Sequence, residues 1–158
     1  MVRGAIAGEL EAKNIEMFFG KQDGVFLRKK HEEKPIDWLV QTSALPKGHA
    51  EIEYAKENGI RVSKRDEFLS NFIEEKKLKM IGVAGTHGKT TTVAMTVWAF
   101  KQLGIPVSYS VGTTLGWDVS GKYDPDSEYF VYEADEYDRN FLAYHPYMAV
   151  ITSVDYDH

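Results

Sequence analysis

An apolar run, Met80 to Ala84, passes directly into Gly85-Thr86-His87-Gly88-Lys89-Thr90-Thr91 and then into a helical pattern, Thr90 to Leu103. No other feature of the chain constrains its fold as strongly. The run suits a strand buried on both faces of a parallel sheet. Glycines let the backbone turn tightly and bring its N–H groups against phosphate oxygens. The N-terminus of the following helix adds its partial positive charge. Lys89 is placed to reach terminal phosphates, and the Thr90 hydroxyl to ligate Mg²⁺. The full G-x-x-x-x-G-K-[ST] pattern requires a glycine where Val83 stands, so the loop is a variant. The competing reading, a glycine-rich turn that only caps a helix, is outweighed by its position between strand and helix.

The rest of the chain alternates in the same way. Helical patterns are expected over 5–13, His49 to Asn58 with Gly59 as terminator, Arg65 to Lys76, and Arg139 to Tyr144. Strands are expected over Ile15 to Phe19, Asp37 to Thr42, Ile60 to Val62, Val107 to Val111, Tyr129 to Glu133 and Met148 to Thr152. Residues 112–128 read as loop. Such alternation defines an α/β fold with a parallel sheet. A charged run, Glu74 to Lys79, marks a boundary, so the expected units are 1–77 and 78–158. Phe68, Leu69, Phe72 and Ile73 share one face of the helix before it, and Val93, Val97 and Phe100 recur at i, i+4, i+7 after it. Trp98, also at helical spacing, is expected in the core, and Trp38 as a plain strand residue.

Composition narrows the function classes. No apolar run reaches the about 18 residues of a membrane span. Glu9 and Glu11 interrupt the place of a secretory signal's apolar core. The absence of cysteine excludes disulfides and thiolate metal sites and fits a reducing cytoplasm. Net charge is −5. Residues 1–77 carry 14 basic and 14 acidic side chains, whereas 78–158 carry 5 and 10, so the second half holds the whole excess. With no basic cluster, nucleic acid is not the expected partner. An acidic half that binds a polyanion needs backbone N–H groups, a lysine and a divalent cation.

Two acidic motifs meet that need. Glu133-Ala134-Asp135-Glu136-Tyr137-Asp138 follows the Tyr129–Glu133 strand and offers carboxylates to a hard cation at the sheet's carboxyl edge, where ligands of open α/β sheets sit. Asp155-Tyr156-Asp157-His158 lies just past another strand, with His158 able to ligate metal or contact phosphate. His87 is read as a spacer acting through its backbone N–H. His31, His49 and His145 have no partner spacing and no expected role.

Together, G-T-H-G-K-T-T, E-A-D-E-Y-D and I-T-S-V-D-Y-D-H resemble the Mur ligases. Val40-Gln41-Thr42-Ser43-Ala44-Leu45-Pro46 and Gly59-Ile60-Arg61-Val62-Ser63-Lys64-Arg65 are similar to that family's first domain. The resemblance implies that 1–77 is the C-terminal part of a Rossmann-like UDP-sugar-binding domain. Residues 78–158 would then be the N-terminal part of a P-loop ATP-binding domain with a mostly parallel sheet. It implies ATP and Mg²⁺ as cofactors, with Gly85, Thr86, His87, Gly88, Lys89, Thr90 and Thr91 around the phosphates. Thr90 and Glu133 would hold one Mg²⁺, with Glu133 and His158 near a second; Lys89, Glu133 and His158 would be the catalytic set. The implied reaction is amide formation in peptidoglycan precursor synthesis in the cytoplasm. ATP phosphorylates the carboxylate of UDP-N-acetylmuramate, and the amine of L-alanine attacks the acyl phosphate; the tripeptide-adding branch shares E-A-D-E-Y-D. No membrane or nucleic-acid partner is implied. The family's opening glycine-rich turn and third domain have no counterpart here, and Ser153 stands where many relatives have Asn. The expectation is an internal fragment with exposed sheet edges, inactive alone; a non-catalytic ATP-binding piece is the other outcome.

Overall fold

The computed structural model describes residues 5–113, 115–134 and 144–155. Two compact units divide at Leu69 and Ser70, inside the helix Arg65–Glu75 (α4) and ahead of the 77/78 boundary read from the charge run.

In the first unit, helices α1 (Ala5–Ala12), α2 (Val25–Glu33) and α3 (Ala50–Glu57) accompany strands β1 (Trp38–Gln41) and β2 (Arg61–Lys64). The strands pair in parallel, Trp38 opposite Arg61 and Gln41 opposite Lys64. Leu27, Ala55 and Ile60 form its core, with Leu39, Tyr54 and Val62 packed against them. Helix α3 stops where Gly59 turns left-handed at φ 69°. The Ile60 N–H then reaches the Ala55 carbonyl and the Gly59 N–H the Lys56 carbonyl, which satisfies two orphan acceptors. Trp38 does more than fill its strand. Its indole donates to Ser63 Oγ at 2.8 Å, and the Arg61 guanidinium lies 3.6 Å from its ring.

One expectation fails here, and one helix goes unforeseen. Ile15 to Phe19 is not a strand: the Ile15 N–H closes the end of α1 on the Leu10 carbonyl, and the Phe18 ring stacks on Phe26 at 4.2 Å. The partner of that stack belongs to α2, a helix the periodicity did not single out. Its start is set by Gly24 at φ 85°, with Asp23 Oδ1 accepting the Val25 N–H.

The second unit holds β3 (Lys79–Ala84), α5 (Lys89–Gln102), β4 (Ser108–Ser110), β5 (Gly121–Lys122), β6 (Tyr129–Glu133) and β7 (Met148–Ile151). The sheet order is β5-β4-β6-β3-β7, parallel except for the β4–β5 hairpin. The chain leaves β3 for β4 on one side and later leaves β6 for β7 on the other. The carboxyl ends of β3 and β6, side by side, therefore form a topological switch point, where open α/β sheets bind ligands. Ile81 and Val83 from β3, Val93 and Val97 from α5, and Val107, Tyr109, Val111 and Val131 form the core. The β5 arm of the hairpin and the Leu115–Asp118 bridge fall in the stretch read as loop. Trp98 departs from its expected core place. It is 49% exposed and packs edge-on against Trp117, one position around α5 from the buried Val97. The expected helix over 139–144 falls largely outside the described residues. None of the described helices is long and apolar enough to cross a membrane.

Candidate functional site

The site is assembled at the ends of β3, β6 and β7. Leaving β3, the chain turns at Gly85 with φ 135°, where a methyl group would meet Thr152 Oγ1 at 2.3 Å and the Ser153 backbone at 2.9 Å. No side chain fits there. Gly88, at φ 81°, caps α5, whose first helical bond runs from the Thr92 N–H to the Gly88 carbonyl at 2.9 Å. The helix dipole makes this end electropositive.

Lys89 opens α5, and its ammonium donates to the Gly85 carbonyl at 2.6 Å, across the mouth of its own loop. Thr90 Oγ1 donates to Glu133 Oε1 at 2.8 Å. Glu133 is the last residue of β6, in register with Val83 of β3. Its other oxygen accepts the Gly112 N–H at 3.1 Å. Thr91 is exposed on the first turn, and the His87 side chain is exposed at the tip of the loop.

The segment after β7 buttresses the loop. The Thr152 hydroxyl lies on the Ala84 carbonyl at 3.1 Å and on the His87 carbonyl. The Thr86 N–H donates to the Ser153 carbonyl at 3.3 Å, and the Asp155 N–H donates to Thr86 Oγ1 at 3.0 Å. The His87 N–H, through which that residue was expected to act, donates to Ser153 Oγ at 2.9 Å.

A cation fit is testable on this geometry. Mg²⁺ binds oxygens at about 2.0–2.1 Å in an octahedron, whose neighbouring ligands stand about 2.9 Å apart. The Thr90 and Glu133 oxygens, 2.8 Å apart, match one such edge. Among the described residues no group of three His, Cys, Asp or Glu side chains could hold a metal, so the pair offers only part of a coordination shell. Partners such as phosphate and water complete a Mg²⁺ shell of that kind. Asp135, Glu136, Tyr137, Asp138 and His158 lie outside the described residues. Sequence reasoning missed Gly112 and Thr152. The signals were a glycine just beyond β4 and a β-branched hydroxyl just beyond β7.

Strand, glycine-bearing turn and helix, with a carboxylate at the end of the neighbouring strand, define an α/β protein whose glycine turn and helix N-terminus meet at its sheet's carboxyl edge. A model of the Mur ligase family, catalytic domain, matches residues 2–77, a span that ends before that loop. UDP-N-acetylmuramate–L-alanine ligase from Lactiplantibacillus plantarum is 46% identical over 76% of this chain and 26% of its own length. Its counterpart from Salinispora arenicola is 40% identical over 78% of this chain and 24% of its own. Among solved structures, UDP-N-acetylmuramate:L-alanyl-gamma-D-glutamyl-meso-diaminopimelate ligase from Neisseria meningitides superposes with a TM-score of 0.82 at 28% identity. That match covers 100% of this chain and 52% of the other. The chain belongs to the Mur ligase family. It spans about a quarter of the length of the curated relatives it matches.

Proposed function

We propose that this chain carries the ATP phosphate-binding part of an amide-forming ligase that joins L-alanine to UDP-N-acetylmuramate. In this reading residues 1–77 belong to the UDP-sugar-binding domain and 78–158 to the ATP-binding domain of a cytoplasmic enzyme of peptidoglycan precursor synthesis. The observation that carries it is the Thr90–Glu133 pair beside Lys89, at the N-terminus of α5. Thr90 and Glu133 would hold Mg²⁺, which offsets the charge of the transferring phosphoryl group. Lys89 would exchange its contact with the Gly85 carbonyl for a terminal phosphate oxygen, adding a second positive charge there. The loop from Gly85 to Thr91 orients the phosphates, and His158 is assigned to a second cation. The γ-phosphoryl group passes to the substrate carboxylate with ADP leaving. The amine then displaces phosphate from the acyl carbon.

The names of the relatives support L-alanine as the amine. The tripeptide-adding reading is favoured by the structural likeness to a ligase of that kind and by Tyr137 in E-A-D-E-Y-D. Assaying a ligase that carries this sequence with L-alanine and with the tripeptide separates the two.

The test for this chain is calorimetric titration with ATP and Mg²⁺. Binding is expected in the wild type, lost in Lys89→Ala and retained in Trp98→Phe, whose ring lies outside the core. Equal loss in both variants would mean a folding effect and sink the assignment.

A further inference from the structure

The backbone donors of the loop fall into two sets. Thr86 and His87 direct their N–H groups to Ser153, one to its carbonyl at 3.3 Å and the other to its hydroxyl at 2.9 Å. The Ser153 hydroxyl in turn lies 3.4 Å from the His87 carbonyl, and the Thr152 hydroxyl lies on the same carbonyl. Asp155 extends the contact through its backbone, since its N–H donates to Thr86 Oγ1 and its carbonyl accepts from that hydroxyl at 3.2 Å. The first half of the loop is thereby held at the Thr86 N–H, the His87 N–H and the His87 carbonyl by the segment leaving β7. The N–H groups of Gly88, Thr90 and Thr91 lie on the other side of this division, ahead of the first helical bond.

We propose that Ser153 is a positioning residue of the phosphate loop: by taking the His87 N–H it fixes the loop's first half and leaves the α5 N-terminus as the anion cradle. The proposal rests on the ATP reading above. Its physical basis is the fixed geometry of peptide groups. A loop pinned at His87 cannot rotate the Gly88 peptide freely, so the donors that follow are aimed before any phosphate arrives, and less ordering is left for binding to bring about. A chain with alanine at 153 keeps the carbonyl contact to Thr86 but leaves the His87 N–H without its acceptor. Threonine at 153 keeps a hydroxyl on the same carbon.

Two measurements on the full chain decide it. In amide hydrogen exchange by NMR, the His87 N–H should be protected in the wild type, exposed in Ser153→Ala and protected again in Ser153→Thr, while the β3 amides of Ile81 to Val83 stay protected throughout. In calorimetry with ATP and Mg²⁺, Ser153→Ala should bind about three- to tenfold more weakly, the worth of one hydrogen bond, and Ser153→Thr should recover. A wild-type His87 amide that exchanges rapidly overturns the proposal. So does equal affinity in wild type and Ser153→Ala, which leaves the ATP reading standing. Deprotection of the β3 amides along with His87 would make Ser153 a general structural residue and overturn the positioning role. A wild type that binds no ATP removes the ATP reading and the positioning role together.

Discussion

The Thr90 hydroxyl donates to Glu133 Oε1 across 2.8 Å, tying the first turn of α5 to the end of β6. The two residues are far apart in sequence and meet because β3 and β6 are neighbours in parallel register, Val83 opposite Glu133. The loop after β3 must then pass the carboxyl end of β6. A hydroxyl and a carboxylate at this spacing form an edge that a small divalent cation can span.

Glu133→Gln should therefore separate the cation from the fold. With its oxygen on the Gly112 N–H, the amide turns its NH2 toward Thr90 Oγ1, which accepts in place of donating, and the negative charge is removed. The expected outcome is an unchanged melting temperature with about tenfold or greater loss of Mg²⁺-dependent ATP affinity, since a hard cation depends on charged oxygen ligands. Titrations with and without excess chelator read this out. If the variant tightens with Mg²⁺ as strongly as the wild type, the carboxylate is not a ligand.

Gly112→Ala tests what aims that carboxylate. The backbone at Gly112 is not in the left-handed region, so alanine brings no conformational strain. Its methyl group would stand 3.0 Å from Glu133 Oε2 and 3.3 Å from its carboxyl carbon. The carboxylate must yield by a few tenths of an ångström, and its second oxygen is held by the Gly112 N–H itself. Residues that orient a metal ligand are typically worth about 10–100-fold in metal affinity. Titration of Mg²⁺ against the ATP-bound chain should show a loss in that range with little change in unfolding.

The loop and its carboxylate partner were legible in the sequence because both follow from local pattern: an apolar run, a glycine turn and an acidic strand end. Val93, Val97 and Phe100 were legible for the same reason, a period of 3.6. Gly112 and Thr152 were not, because each acts on a residue brought near only by the order β4-β6-β3-β7. The β5 strand escaped notice because two residues, Gly121 and Lys122, carry no alternation to read. Ile15 to Phe19 misled for the opposite reason. Its mostly apolar residues have no neighbouring strand among the described residues, and Phe18 finds its contact on Phe26 of a helix instead.

Helix α4 ends on a conformation its sequence does not favour. Lys77 is at φ 54°, in the position after the cap where Gly59 and Gly104 end α3 and α5 at φ 69° and φ 68°. All three ends make the same pair of bonds; here the Leu78 N–H reaches the Ile73 carbonyl and the Lys77 N–H the Glu74 carbonyl, both at 3.0 Å. A non-glycine residue in this region costs roughly 1–2 kcal/mol. The lysine side chain is exposed. Lys77→Gly relieves that cost, against the greater freedom glycine has in the unfolded chain. A net stabilisation of about 0.5–1 kcal/mol is expected, visible as a later midpoint in urea. A loss of stability would mean that Lys77 is not strained.

Acid should loosen the hairpin region through Asp118. Burial pushes its carboxyl up. Hydrogen bonds from the Lys101 ammonium and the Val119 N–H outweigh that and hold it below the usual carboxylate range. A carboxylate depressed in the folded state binds its proton more readily when unfolded. Its contribution is therefore present above the ordinary value of 3.8 and disappears as pH falls through the lower folded value. Lys101 also lies 4.9 Å from the Trp117 ring, so protonating Asp118 frees a cation that helps hold the indole against Trp98. Asp118→Asn should cost about 1 kcal/mol at neutral pH, where the ion pair is intact. Wild type and variant should converge in stability as pH drops below that range. Denaturant midpoints from pH 7 down to about pH 2 check this, with tryptophan fluorescence as a probe of the Trp117 environment. A constant gap between the two proteins at every pH would show that Asp118 does not titrate with folding.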